Sequence, residues 1–236
     1  MTASIYLALD FPNWHTTNQF LTRHDLIGVP VKIGMELFYR EGPALIEKLK
    51  QNGHSIFLDL KLHDIPTTVK KAMRNLAKLE VDMVNVHALG GSAMIQAAKQ
   101  GLVEGNTRFQ TKLLAVTILT SMDQTNMEQN LRLPGTLESN VLHFAKLAEQ
   151  SGADGVVCSV YEANAVKNVC GNSFLTVTPG IRLVDAQDDD QKRIATPSYA
   201  KQHGASVIVV GRTVTQADSP KQAYDQIKGA WANGNR

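Results

Sequence analysis

Short apolar runs rich in Val, Ile and Leu recur along the chain with helix-length stretches between them. The runs fall at residues 5–9, 29–33, 56–60, 83–86, 113–117, 155–158, 174–177 and 207–210, and their length and β-branched content predict eight strands. The stretches between them carry helical spacing at 13–24, 43–51, 66–79, 92–103, 137–150, 163–169, 197–202 and 220–232. In 66–79, Pro66 opens the first turn, and Val69, Ala72, Met73, Leu76, Ala77 and Leu79 share one broad side. Strand and helix thus alternate about every 30 residues, which is the arithmetic of a (β/α)8 TIM barrel. A doubly wound open sheet is the second choice, and it lacks the glycine-rich phosphate loop such a sheet places after its first strand.

No composition break or linker divides the sequence, so residues 1–236 are expected to form one catalytic barrel domain. The longest irregular stretches are 121–134 and 180–195, a length that in a compact domain suggests binding loops. Hydrophobic residues make up 43% and charged residues 19%, with no apolar run long enough for a membrane span. Lys and Arg number 24 against 22 Asp and Glu, too even a balance to point to nucleic acid or an acidic membrane surface. Cys158 and Cys170 lie in apolar-rich segments, and Met1-Thr2-Ala3-Ser4 lacks the basic and apolar regions of a secretory signal, so a cytoplasmic location is expected. The seven histidines show no metal-binding spacing, and no metal is expected.

The reactive face of such a barrel lies at the C-terminal ends of its strands, which makes ionisable residues at those ends informative. Asp10 ends the first run, Lys32 lies in the second, Asp59 and Lys61 close the third, and His87 follows the fourth. Alternation along a strand points Asp59 and Lys61 to one side, one pleat repeat apart. An isolated pair of this kind reads equally well as a structural ion pair. Here Asp64 follows three residues later and Lys32 comes from the neighbouring strand, so two carboxylates and two ammonium groups can alternate in a small space. His87 reads as a hydrogen-bonded packing residue. After the seventh and eighth runs, Thr178-Pro179-Gly180-Ile181-Arg182 and Gly211-Arg212 stand where these barrels commonly grip phosphate, glycine admitting backbone N–H groups and arginine adding a charged fork.

The segment Asp59-Leu60-Lys61-Leu62-His63-Asp64-Ile65-Pro66-Thr67-Thr68 resembles the hallmark D-x-K-x-x-D-I-P-x-T of the orotidine 5′-phosphate decarboxylases. The resemblance extends through Leu7-Ala8-Leu9-Asp10, Val31-Lys32-Ile33-Gly34, Leu119-Thr120-Ser121, Thr178 to Arg182, Asp190-Gln191-Lys192-Arg193 and Val209-Val210-Gly211-Arg212. It implies a homodimeric barrel that converts orotidine 5′-monophosphate to UMP and carbon dioxide without metal or cofactor. It also implies roles. Lys61 is the proton donor to C6, Asp59 sits beside the substrate carboxylate, and Lys32 holds the charged array. Asp64 and Thr68 reach into the partner's site, so the active sites are shared. Asp10 and Lys32 bind the ribose hydroxyls, Thr120 and Ser121 line the nucleotide pocket, and Gln191, Gly211 and Arg212 grip the phosphate, with Pro179 and Arg182 in the nearby loop.

Three other readings fit parts of the pattern. A metal-dependent keto-sugar-phosphate decarboxylase shares D-x-K-x-x-D but not the Ile65-Pro66-x-Thr68 extension or the Thr120-Ser121 pair. A Schiff-base aldolase would need Lys61 as a nucleophile, a role that two adjacent carboxylates oppose. A barrel that binds nucleotide without activity would not need all four charged positions.

Overall fold

The computed structural model describes residues 4–106, 108–183 and 193–234. Eight parallel strands close into a barrel in chain order: β1 (Ile5–Ala8), β2 (Val31–Gly34), β3 (Ile56–Leu62), β4 (Met83–His87), β5 (Lys112–Val116), β6 (Gly155–Val157), β7 (Leu175–Thr178) and β8 (Val207–Val210). β8 returns to pair with β1 through Tyr6 and Val209. Eight helices form the outer layer: α1 (Trp14–Arg23), α2 (Pro43–Gln51), α3 (Pro66–Ala77), α4 (Gly91–Gly105), α5 (Leu137–Gln150), α6 (Val160–Cys170), α7 (Pro197–Gln202) and α8 (Pro220–Asn233). The expected TIM barrel is therefore present.

Two apolar layers follow from the alternation of each strand. Outward residues such as Leu7, Val31, Leu58, Val84 and Ile208 join the helices in one continuous core. Inward residues Tyr6, Ala8, Phe57, Met83, Leu114, Val177, Val207 and Val209 fill the barrel, with Tyr6 edge-on to Phe57 at 6.3 Å. The filling is apolar at the level of Phe57 and becomes charged two residues later on the same inward face, at Asp59 and then Lys61. This turns the C-terminal end of the barrel from core into site.

Between α3 and α4 the packing is unusually close. A Cβ on Gly101 would lie 2.2 Å from the Lys70 carbonyl oxygen, and one on Gly105 would lie 2.4 Å from that of Arg74. Glycine at these positions lets two helix backbones touch, and it seats α3, whose first turn carries Thr68, directly after the loop that carries Asp64.

Several expected boundaries move. The sixth helix begins at Val160 rather than 163, because Ser159 and Glu162 form a reciprocal capping box, with the Ser159 N–H donating to Glu162 Oε2 at 2.8 Å. The stretch 121–134, expected to be irregular, contains a short helix, Gln124–Asn126, that runs into a π turn, Met127–Leu131, and ends at Arg132 with φ 52°. Further short helices occupy Met35–Glu41 and Arg212–Thr215. The stretch 180–195 is tied at both ends, the Arg182 N–H donating to Ala195 O at 2.9 Å and the Ala195 N–H to Gly180 O at 3.0 Å. No helix among the described residues is long and apolar enough to cross a membrane.

Candidate active site

A cavity of about 600 Å³ opens at the C-terminal end of the barrel, a volume within the usual range for small-molecule sites. Asp10, Lys32, Asp59, Lys61, Thr120, Pro179, Arg182, Gly211 and Arg212 all line it, so residues expected from six separate stretches of sequence meet in one space. Phe11, Thr215 and Gln216, which were not foreseen from the sequence, line it too. Gln216 caps the four-residue helix Arg212–Thr215, which places it one turn beyond Arg212, and a helix this short leaves no period in the sequence that would have marked it.

Four charges alternate along the floor. Lys32 Nζ lies 3.1 Å from Asp10 Oδ1 and 3.3 Å from Asp59 Oδ2, and Lys61 Nζ lies 2.7 Å from Asp59 Oδ1. Strand register produces this order. Ala8 faces Lys32 and Lys32 faces Phe57, so the inward row climbs through β1, β2 and β3, and the charged residues follow it. Gly34 leaves room for the first pair: a Cβ there would meet Asp10 Oδ1 at 3.2 Å and Lys32 Nζ at 3.4 Å.

Burial and pairing oppose each other at the two central groups. Burial works to lower the Lys32 pKa, but the Asp59 and Asp10 carboxylates outweigh it and hold the ammonium above its ordinary range. Burial works to raise Asp59, but the charges of Lys32 and Lys61, with hydrogen bonds from Lys61 and Asn85, hold the carboxyl below its ordinary range. Both groups therefore keep opposite charges at neutral pH.

Lys61 does not reach this site along a regular pleat. Between β3 and β4 the register advances from Leu58 opposite Val84 to Leu62 opposite Val86, four residues against two. Lys61 sits in this bulge with φ 51°, and it is the one residue of a strand among the described non-glycine residues of positive φ. A left-handed backbone at a residue with a Cβ costs about 1–3 kcal/mol and persists only where its surroundings hold it. Asn85 supplies part of that hold. Its Oδ1 accepts the Lys61 N–H at 2.7 Å, and its Nδ2 donates to Asp59 Oδ1 at 2.7 Å. Asn85 was not foreseen from the sequence. A polar residue inside Met83-Val84-Asn85-Val86, on the same parity as His87, was the available signal.

Other expected residues lie elsewhere. Asp64 and Thr68 are exposed and line a second cavity of about 320 Å³ with Met35, Tyr39 and His63, on the other side of Lys61. Asp64 Oδ1 accepts the Ile65 N–H at 2.6 Å, and within one chain the second carboxylate of the array is Asp10. Ser121 is exposed and does not line the main cavity, whereas Thr120 does. Gln191 lies outside the described residues. His87 packs as expected, its ring 5.8 Å from that of His63, but its buried Nδ1 has no hydrogen-bond partner. Burial, then the neighbouring His63 and Lys61, keeps its pKa below the ordinary histidine value.

A closed (β/α)8 barrel with alternating lysines and carboxylates at its C-terminal mouth, and glycine and arginine after β8, defines a barrel enzyme acting on a phosphorylated substrate. Comparison makes the class specific: the family model described as orotidine 5′-phosphate decarboxylase / HUMPS matches residues 3–227, and the chain belongs to this family. Orotidine 5′-phosphate decarboxylases from Bacillus thuringiensis subsp. konkukian and Bacillus mycoides are each 53% identical over 233 residues, covering 98% of both chains. The crystal structure of orotidine 5′-phosphate decarboxylase from Lactobacillus acidophilus superimposes with a TM-score of 0.85 at 44% identity, covering 97% of this chain and 98% of that one. An uncharacterized conserved protein from Geobacillus kaustophilus gives the same TM-score at 43% identity, covering 96% and 99%.

Proposed function

We propose that this chain decarboxylates orotidine 5′-monophosphate to UMP in pyrimidine biosynthesis, without metal or cofactor. The observation that carries the mechanism is the row Asp10–Lys32–Asp59–Lys61, ending in an ammonium at the mouth of a nucleotide-sized cavity. In the reaction the bond from C6 to its carboxylate breaks, carbon dioxide leaves, and the electron pair stays on C6. That pair occupies an orbital in the ring plane, where the π system cannot delocalise it, so stabilisation has to be electrostatic. The Lys61 ammonium attracts the developing carbanion and then delivers a proton to the same carbon, after which solvent restores the lysine.

Asp59 faces the substrate carboxylate, where its charge opposes the bound ground state more than a transition state that is losing that carboxylate. Asp10 and Lys32 receive the ribose hydroxyls, and Thr120 with Ser121 borders the base. Gly211, Arg212 and Gln191 hold the phosphate, beside Pro179 and Arg182. The working unit is a homodimer in which Asp64 and Thr68 of each chain complete the partner's site; their position on the face beside Lys61 supports this reading.

The test is incubation of purified protein with orotidine 5′-monophosphate in excess EDTA, following loss of orotate absorbance, with Lys61→Ala alongside. Metal-free conversion to UMP that the variant lacks is the expected result. No turnover by the unaltered protein would overturn it and direct the next assay to magnesium with a keto-sugar phosphate.

A further inference from the structure

Inward parity on β4 brings Asn85 to the level of Asp59 and Lys61, where one side chain can hold both from outside their own strand. Its carboxamide makes the two 2.7 Å bonds in opposite senses, giving a hydrogen to Asp59 and taking one from the Lys61 backbone. The residue is 1% exposed, so water does not compete for either bond, and an unpaired group there would bear its full desolvation cost. β3 has a particular need for such a holder. Its ladder to β4 is interrupted between Leu58 and Leu62, and Lys61 lies within that gap in a left-handed conformation. A carboxylate torsion is intrinsically broad. Two donors on Asp59 Oδ1 narrow it and leave Oδ2 directed at Lys32 Nζ.

We infer that Asn85 is a positioning residue: its two hydrogen bonds set the Asp59 carboxylate and the Lys61 backbone together, and so fix the point from which Lys61 Nζ meets the reacting carbon. This rests on the decarboxylase reading of the site. If Asn85 served only to satisfy a buried polar position, its loss would lower stability and leave the kinetics of the folded protein intact.

The test compares Asn85→Leu and Asn85→Asp with the unaltered protein by thermal unfolding, by kcat and KM for orotidine 5′-monophosphate, and by carbon NMR of the Asp59 carboxyl. Asn85→Leu removes both bonds at similar volume. It is expected to lower kcat by about 10²-fold, the usual cost of displacing a reactive group by about 1 Å, with KM changed by less than about threefold because the phosphate and ribose contacts remain. Asn85→Asp keeps an acceptor for the Lys61 N–H but turns a carboxylate toward Asp59. Its kcat relative to the unaltered protein should rise as pH falls and the new carboxyl regains a proton to donate. The other charged groups around Asp59 are Lys32 from β2 and Lys61 from β3, with Asp10 beyond Lys32 and His87 further along β4. His63 stacks on His87 at 5.8 Å, and since all of these groups are present in both proteins, the pH dependence of the ratio reports the new carboxyl and its coupling to them.

Full kcat in folded Asn85→Leu, or a loss confined to KM, would overturn the inference. If the unaltered protein does not turn over the substrate, the decarboxylase reading falls by itself and the NMR titration decides on Asn85. A higher Asp59 midpoint in Asn85→Leu, which adds no charge, would support the clamp, and an unmoved midpoint there would overturn it.

Discussion

An ammonium about 4 Å from a developing carbanion gains about 4 kcal/mol at an effective dielectric of about 20, or roughly three orders of magnitude in rate. Slow uncatalysed reactions call for accelerations up to about 10¹⁷-fold, so Lys61 needs help from binding energy gained far from C6. Arg212 is placed to supply it, lining the same cavity from the end of β8. Charged hydrogen bonds contribute about 1.5–3 kcal/mol each, and a guanidinium fork makes two of them to a phosphate, so Arg212→Ala should lower kcat/KM for orotidine 5′-monophosphate by at least about 10²-fold. Turnover of the phosphate-free nucleoside should barely change, and steady-state kinetics on both substrates checks this; equal losses would reduce Arg212 to a structural role. At this scale the charged residues were legible because they interrupt apolar runs: Asp10, Lys32, Asp59 and Lys61 each stand where a core strand has no physical use for a charge. Asn85 escaped because an uncharged amide within a strand carries no such contrast, and the Lys61 bulge escaped because backbone handedness at a lysine leaves no mark in the sequence.

Helices and strands were legible where hydrophobic period and terminal chemistry agreed. The ranges expected for α2, α5, α7 and β8 coincide with those observed, and three of those helices open with proline or a capping threonine. The early start of α6 came from a capping box written plainly as Ser159-x-x-Glu162, which the apolar period alone does not show. Short helices such as Arg212–Thr215 are too brief to express a period at all. Glycine has opposite meanings in two elements, and this gives a paired prediction. In α8 a Cβ at Gly229 meets nothing within 4 Å, so Gly229→Ala should stabilise the protein by about 0.5–1 kcal/mol through helix propensity. In α4 the same change at Gly101 drives a methyl group into the Lys70 carbonyl, and the forced separation of α3 and α4 should outweigh that gain by about 1–3 kcal/mol. Denaturant unfolding of the two variants checks both signs. Gly101→Ala without loss of stability would mean that the helices part freely.

A single barrel leaves an exposed, partly apolar face beside Lys61. Tyr39 is 67% exposed and Met35 45%, both lining the small cavity with Asp64 and Thr68, and Ile65, next to Asp64 in the chain, is 67% exposed. Apolar side chains of this size grouped next to a site suit a covered surface better than an open one, and a two-fold contact would bring the same loop of a second chain toward Lys61. The proposed dimer then makes a prediction that no single-chain site shares. Lys61→Ala and Asp64→Ala should each give weakly active homodimers, the first lacking its proton donor and the second lacking the carboxylate it lends. Mixed under conditions that allow exchange, they should form heterodimers in which one site receives Lys61 from one chain and Asp64 from the other, while the second site has neither. Random exchange of equal amounts places one intact site in half of the dimers, about a quarter of the sites in the unaltered protein. Activity should therefore climb toward about that fraction as subunits exchange, at the rate sedimentation or native mass spectrometry reports for heterodimer formation. A mixture that stays at the sum of its parents while heterodimers accumulate would show that each barrel works with its own residues alone. Asp64 and Thr68 would then need a role on the outer face.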